Sequence, residues 1–359
     1  MAKSPILKIE NLQKHFHTGA GWLSKGNTVK AVENVSLSVQ PGETLAIVGE
    51  SGSGKSTLAR LVMGLLEPTN GAVYFNNFDI NMLSSKQKKE LAKEIQFIFQ
   101  DPYSSLNPAM TVGALIAEPL KVHGLGTATT RQIMVKDLMR RVGLLPEHAG
   151  RFPHEFSGGQ RQRIAIARAL AVSPRVIIAD EPVSALDVSV QAQIINLLQS
   201  LKTEFNLTMI LISHDLAVVH HMADRIGVMY HGHLVELGAC DTIFQKPAHP
   251  YTQMLLNAIL SAYPEDAKTH FGQNKPDLEI KADTGGGCVF HSRCKHAKLN
   301  CARTKQTLKP VAVNQFSACS YAAEIAVEVL PSTSKSPFSQ NVERRFEIFN
   351  QYREAVQQS

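Results

Sequence analysis

Leu45-Ala46-Ile47-Val48, followed by Gly49-Glu50-Ser51-Gly52-Ser53-Gly54-Lys55-Ser56, decides the fold of this chain. Four uninterrupted apolar residues bounded by Gly42 and Gly49 mark a strand buried on both faces. From Ser56 to Leu66 the pattern turns helical, with Leu58, Leu61, Val62 and Leu65 on one face, until Pro68 and Gly71 stop it. The eight residues between strand and helix fit G-x-x-x-x-G-K-[ST]. Glycines at these spacings let backbone N–H groups converge on phosphate oxygens, and a helix start favours negative charge. Lys55 then reaches the β and γ phosphates and the Ser56 hydroxyl binds Mg²⁺. A flexible surface loop is the plain alternative, and the strand–loop–helix setting argues against it.

Outward from this loop, residues 5 to 48 read as β-rich, with alternation at Leu7-Lys8-Ile9 and at Val35, Leu37 and Val39. Three more buried strands are expected at Val176-Ile177-Ile178-Ala179, Met209-Ile210-Leu211-Ile212 and Ile226-Gly227-Val228-Met229, with a helix over Val190 to Phe205 between the first two. Apolar strands separated by helices make a mostly parallel α/β sheet. Between Gln100 and Gln160 helices are expected around Val112 to Leu120 and Arg131 to Leu145, where Met134, Leu138, Val142 and Leu145 share a face. This stretch reads as a helical insertion. After about Pro250 the composition turns polar and irregular, Gly285-Gly286-Gly287 opens a cysteine region, and a polar tail follows Pro331. The expected division is a nucleotide-binding domain over 1–260 with a helical subdomain at about 101–160, an extension over 261–330, and a tail over 331–359.

The 359 residues, 44% of them hydrophobic, suffice for a sizeable core. No apolar run reaches membrane-spanning length, and Met1 to Glu10 carries charges where a signal peptide would be apolar. The expectation is a chain that neither crosses a bilayer nor is exported. The net charge of +6 is scattered rather than clustered on one element, so no nucleic-acid partner is expected. Five cysteines without an export signal argue against a disulfide framework.

Asp180-Glu181 ends the apolar run that starts at Val176. Two acids at a strand end are usually a solvated turn, but beside a phosphate loop they divide into two jobs. Asp180 supports Mg²⁺ and Glu181 polarises the attacking water.

Phe156-Ser157-Gly158-Gly159-Gln160, followed by Arg161-Gln162-Arg163 and a helical run from Ile164 to Leu170, resembles the signature of the ABC ATPases, with Phe156 where that family most often has Leu. Ser157 and the N–H groups of Gly158 and Gly159 would make a second anion-binding cap at a helix start. The remaining elements appear in family order. Gln100 in Phe99-Gln100-Asp101-Pro102 resembles the Q-loop, Ser184-Ala185-Leu186-Asp187 the D-loop, and His214 the switch histidine. Phe16 matches the position of an adenine-stacking aromatic ring, with His15, His17 and Trp22 close by. The resemblance covers about residues 5 to 260. It implies a P-loop NTPase core of the RecA-like kind with an N-terminal antiparallel β subdomain, a helical insertion and a C-terminal cysteine-bearing extension.

The same resemblance implies ATP held by Gly49, Glu50, Ser51, Gly52, Ser53, Gly54, Lys55, Ser56 and Thr57, with Mg²⁺ held through Ser56, Gln100 and Asp180. Catalysis would involve Glu181, His214 and Gln100. Ser157, Gly158, Gly159, Gln160 and Asp187 would act in trans on a partner's nucleotide. Within the family, Phe99 to Pro108, Ala185 to Gln193 and His249-Pro250-Tyr251-Thr252 resemble the ATP-binding subunits of dipeptide and oligopeptide importers, of the F type. This implies a bacterial translocase subunit that hydrolyses ATP, peripheral on the cytoplasmic face of the inner membrane. Its implied partners are a second ATPase subunit, in a heterodimer rather than a homodimer, two integral membrane permeases and, indirectly, a solute-binding protein. Nickel, antimicrobial peptides and glutathione are related cargoes. The competing class is a soluble ABC ATPase of DNA repair or translation, and two features weigh against it. No heptad run separates Lys55 from Ser157, and the chain has one phosphate loop.

Cys288, Cys294, Cys301 and Cys319 are separated by five, six and seventeen residues. Zinc sites more often use cysteines about two to four residues apart. Four thiolates also suit a [4Fe–4S] cluster, as the importer resemblance implies, and Arg293, Lys295, His296, Lys298, Arg303 and Lys305 would offset its charge. Zinc and free thiols stay open as alternatives, and Cys240 reads as an ordinary thiol.

Overall fold

The computed structural model describes residues 4–18, 27–260 and 286–325. Trp22, the whole 261–285 segment that would open the extension, and residues 326–359, which include the expected tail, lie outside them.

Strand β1 (Leu7–Thr18) and β2 (Asn27–Val39) pair antiparallel, and the chain then enters β3 (Thr44–Val48) and α1 (Lys55–Val62). β4 (Asn70–Phe75) and β5 (Phe78–Asp79) return to β1, giving a four-stranded sheet in the order β2-β1-β4-β5. α2 (Ser85–Glu94) leads into β6 (Ile95–Ile98). The helical insertion follows as α3 (Pro102–Ser105), α4 (Val112–Val122) and α5 (Ala128–Arg141), and α6 (Gly158–Leu170) brings the chain back. Next come β7 (Val176–Asp180), α7 (Val188–Phe205), β8 (Thr208–Ile212), α8 (Leu216–Met222), β9 (Arg225–Tyr230) and β10 (His233–Ala239). α9 (Cys240–Gln245), α10 (Pro250–Leu260), β11 (Lys309–Ala312) and β12 (Gln315–Ser317) complete the described elements.

The main sheet runs β11-β12-β10-β9-β3-β8-β7-β6, with the β9, β3, β8, β7 and β6 neighbours parallel. Every residue of β3, β7 and β8 is buried, as parallel strands covered on both faces require. One core lies between this sheet, the antiparallel sheet and α1, built from Leu7, Leu12, Val35, Leu45, Ile47, Leu58 and Leu61. The other joins the opposite face to the insertion, where Leu115, Ile116, Leu120 and Met139 pack with Ile164, Ile195 and Leu211.

Three expectations are corrected. α1 stops at Val62, because Gly64 takes a left-handed φ of 68° and turns the chain, and Leu65 is left 60% exposed. α5 starts earlier, where the Thr127 hydroxyl accepts from the Thr130 N–H, and ends before Gly143 (φ 71°). Its buried face is therefore Val135, Leu138 and Met139, while Leu145 lies beyond the helix and is exposed. The stretch after Pro250 is helical rather than irregular: Pro250 opens α10, and the Tyr251 N–H donates to His249 Nδ1 at 3.1 Å.

The extension also continues the main sheet instead of standing apart. β12 pairs antiparallel with β10, Glu236 opposite Ser317 and Gly238 opposite Gln315. Beneath that seam the fully buried Glu236 accepts from the Ala248 and His249 N–H groups at 2.8 and 2.9 Å and from Gln315 Nε2 at 2.8 Å. One carboxylate thus joins β10, the start of α10 and β12, and burial raises its pKa against those hydrogen bonds.

Candidate functional site

The phosphate-loop residues fold as the pattern requires. Gly49 leaves β3 at φ 151°, where a Cβ would stand 2.2 Å from the Met229 carbonyl oxygen, and Gly54 caps α1 at φ 103°, where a Cβ would stand 2.1 Å from that of Ala31. Only glycine fits either place. Lys55 curls back beneath the loop, Nζ donating to the Gly49 and Glu50 carbonyls at 2.8 and 2.9 Å. Burial lowers its pKa, while the charges of Glu181, Asp180 and Glu50 oppose the shift.

The Ser56 side chain favours the ionised Asp180 carboxylate, partly offsetting the burial that raises its pKa. Asp180 is 8% exposed, its Oδ1 has no protein hydrogen-bond partner, and burial raises its pKa. A buried, under-partnered carboxylate oxygen beside a hydroxyl is the hard-oxygen donor set that Mg²⁺ takes, so these residues fit the ion.

β8, β7 and β6 are neighbours and parallel, so their C-terminal ends bring His214, Glu181 and Gln100 into one row. Glu181 Oε2 accepts from Gln100 Nε2 at 2.8 Å, and its Oε1 lies 3.0 Å from His214 Nδ1. The residue adopts φ 48°, unusual for a non-glycine, and its N–H donates to the Ile212 carbonyl at 2.9 Å. Two of the three predicted residues, Gln100 and His214, thus converge on the carboxylate of the third, Glu181, beside the phosphate loop. Such an arrangement can orient a water and sense what sits on the loop.

Ser157 caps α6 with a full capping box: its hydroxyl accepts from the Gln160 N–H at 3.3 Å and its N–H donates to Gln160 Oε1 at 3.0 Å. Ser157 and Gln160 are exposed, whereas Gly159 is buried against Val190 of α7. Phe156 is 4% exposed, filling an apolar position as Leu would. Asp187 is the N-cap residue of α7, and the turn before it is tied to the site by Ser184 Oγ, which donates to the Glu181 carbonyl at 3.2 Å. Phe16 lies on β1 opposite Val29, 38% exposed, with Lys14 Nζ 5.3 Å from its ring centre.

Two residues at the loop carried no such expectation. The buried Tyr251 hydroxyl accepts from the Glu50 N–H at 2.9 Å, and Arg293 binds both carboxylate oxygens of Glu50 at 2.8 and 3.0 Å. Tyr251 stood within a family-like string and Arg293 among charges near the cysteines. Nothing local in the sequence points either residue at position 50.

The four clustered cysteines do come together, Cys319 interacting electrostatically with Cys288, Cys294 and Cys301. Backbone N–H groups reach their sulfurs, that of Lys298 lying 3.4 Å from Cys301 Sγ. The expectation of an iron–sulfur centre is nevertheless not met by a formed site: among the described residues no group of three or more His, Cys, Asp or Glu could hold a metal ion. Burial raises the pKa of Cys288, Cys294 and Cys319, the last pushed up to about 11. Cys240 is an ordinary buried thiol, pushed up to about 12.

The ABC transporter family matches residues 32–184, and the "Oligopeptide/dipeptide transporter, C-terminal region" family matches residues 235–301. The "Oligopeptide transport ATP-binding protein AppF" of Bacillus subtilis is 49% identical over 317 residues, 88% of this chain and 96% of that protein. The fold is similar to a dimeric post-hydrolysis state of the ATP-binding cassette MJ0796 bound to ADP and Pi, with TM-score 0.59 and 32% identity over 65% of this chain and 98% of that one. It is also similar to cbiO1 from Clostridium perfringens, part of the ABC transporter complex cbiONQ, with TM-score 0.59 and 28% identity over 74% and 99% of the two chains. With the ABC transporter family matching residues 32–184 and a transport ATP-binding protein 49% identical over 88% of the chain, the chain belongs to the ABC transporters as an ATP-hydrolysing subunit.

Proposed function

We propose that this chain drives the import of di- and oligopeptides, hydrolysing ATP on the cytoplasmic face of a bacterial inner membrane. The observation that carries the reading is the convergence of Gln100 and His214 on Glu181, beside the Ser56–Asp180 pair and the phosphate loop. Mg²⁺, when bound by Ser56, Asp180 and Gln100, supplies charge neutralisation on the phosphates. Residues 49–57 hold the triphosphate, Lys55 exchanging its loop carbonyls for phosphate oxygens. Glu181 accepts a proton from the attacking water, and Gln100 and His214 hold that carboxylate in line. Phe16 offers its exposed ring to the adenine.

The cap formed by Ser157, Gly158, Gly159 and Gln160, with Asp187, completes the site of a second ATPase subunit. One phosphate loop and one cap per chain make the dimer obligatory for turnover, and a heterodimer is the reading carried forward. Closure on ATP and reopening on hydrolysis shift the population of permease states. Among the described residues no helix is long and apolar enough to cross a membrane, which suits a peripheral subunit docked on two permeases fed by a solute-binding protein. Peptide cargo follows from the printed name of AppF and from the match to the oligopeptide/dipeptide C-terminal family.

The nucleotide-binding division at 1–260, with its insertion near 101–160, and the extension from 261 are proposed on the same basis. The ground for proposing a structural [4Fe–4S] cluster in the extension is the gathering of its four cysteines, zinc being the alternative. An anaerobic preparation absorbing near ~400 nm would support iron. A colourless protein carrying stoichiometric zinc would reverse the order.

The deciding experiment is purification of the tagged chain from membranes, followed by reconstitution in vesicles. Co-purification of two integral membrane proteins and a second ATPase, with hydrolysis stimulated by a peptide-loaded binding protein, is expected. A soluble, DNA-stimulated ATPase with no membrane partner would overturn the reading.

A further inference from the structure

The phosphate loop and the cysteine module are 243 residues apart in sequence, and Arg293 joins them. Its guanidinium meets the Glu50 carboxylate in a two-bond fork, with Tyr230 Oη 3.5 Å from Nη1. Arg293 itself is held by the module. Its N–H donates to the Phe290 carbonyl at 3.1 Å, in the turn between Cys288 and Cys294. Phe290, 2% exposed, anchors that turn with ring centres 5.2 Å from Tyr230 and 5.5 Å from Tyr251. Tyr251 in turn accepts the Glu50 N–H. Backbone and side chain of one loop residue are therefore gripped from the C-terminal part of the chain.

Glu50 is an awkward residue for this place. Its negative charge is felt by Lys55, in a loop built to receive a polyphosphate, and with its side chain 39% exposed water screens that charge only in part. A fixed cation beside it offsets the repulsion that solvent leaves, and a planar fork does so while holding direction.

We propose that Arg293 is a positioning residue for nucleotide binding, cancelling the Glu50 charge and holding the loop, so that nucleotide affinity depends on how the cysteine module is seated. This rests on the reading that the loop binds ATP. Because the coupling is thermodynamic, a nucleotide on the loop also favours the seated module.

The test is equilibrium binding of a fluorescent Mg–ATP analogue to the full chain, wild type against Arg293→Gln, Arg293→Lys, Glu50→Gln and the Glu50→Gln/Arg293→Gln pair, with thermal melts alongside. Arg293→Gln is expected to weaken binding by about tenfold, within the range of charge-assisted couplings. Arg293→Lys should fall between, because it keeps the charge and loses the fork. The double variant should return to within about threefold of wild type, since the unpaired charge is gone. In the assembled transporter Arg293→Gln should raise KM and leave kcat unchanged. Unchanged affinity in Arg293→Gln, or a double variant as weak as the single, overturns the proposal. If Arg293→Gln fails to fold, Glu50→Gln decides: binding at least as tight as wild type supports charge cancellation, and a tenfold loss overturns it. A wild-type chain that binds no nucleotide would instead sink the ATP reading itself.

Discussion

Replacing Gly159 by Ala tests the signature cap through packing rather than chemistry. A Cβ at position 159 would stand 2.4 Å from Val190 Cγ1, about 1 Å inside ordinary contact, and 3.8 Å from Val190 Cβ. Val190 is on the first turn of α7, so the start of α6 must move by a similar amount or Val190 must leave its rotamer. Overpacking of this kind costs about 1–3 kcal/mol of stability. A displacement near 1 Å of a positioning element costs about 10²-fold in rate. The chain's own phosphate loop is built by β3 and α1, so nucleotide binding by the isolated chain should stay within about twofold if, as proposed, the signature contacts act across a dimer. Phosphate release by the reconstituted transporter should fall by about 10²-fold. Adding Val190→Ala removes Cγ1 and leaves only the ordinary Cβ contact, so most of the rate should return. The reasoning is refuted if Gly159→Ala hydrolyses at the wild-type rate, or if Val190→Ala restores stability without restoring turnover.

Glu181→Gln keeps an oxygen for one of its two donors and loses the base. Turnover should drop by roughly 10²–10⁴-fold with ATP affinity retained, measured by phosphate release and nucleotide binding. Asp180 is a buried acid whose pKa is raised in the folded state. Its contribution is favourable at low pH and is lost as pH rises through that raised value, so the ionised group weighs against the nucleotide-free fold at neutral pH. Asp180→Asn should therefore raise the melting temperature of the nucleotide-free chain while abolishing the further rise that Mg–ATP produces in wild type. An equal or lower melting temperature would count against this account of the burial. His249 is fully buried, accepts the Tyr251 N–H, and is pushed down to about 3 from 6.5. The unfolded chain takes up its proton first, so stability is complete above about pH 6.5 and falls toward pH 3, by up to ~1.4 kcal/mol per pH unit. His249→Asn keeps an acceptor at the start of α10, and its melting temperature should fall less steeply between pH 6.5 and 4; parallel curves would show that other groups set the acid limb.

Whatever depends on neighbours within a few positions was legible in the residues. The phosphate loop needs only glycines where the chain turns left-handed, and β3, β7 and β8 needed only unbroken apolar runs. The Ser157–Gln160 capping box also lies within one helical turn, so the signature's position at a helix start could be read directly. Helix ends were read less well, since Gly64 and Thr127 act by single dihedrals and hydrogen bonds that a hydrophobic period does not carry, and Leu65 and Leu145 were misplaced accordingly.

Sequence by itself determined the kind of chemistry, because the loop, the acid pair and the cap are contiguous strings. Tertiary structure decided what those strings do together. Gln100, Glu181 and His214 meet because β6, β7 and β8 are adjacent and parallel, an order set by long-range packing of both sheet faces. In the same way β12 joined β10, Glu236 came to hold α10, and Arg293 reached Glu50. Those pairings close loops of many residues, and their stability comes from burial and hydrogen bonds that exist only once the chain has folded.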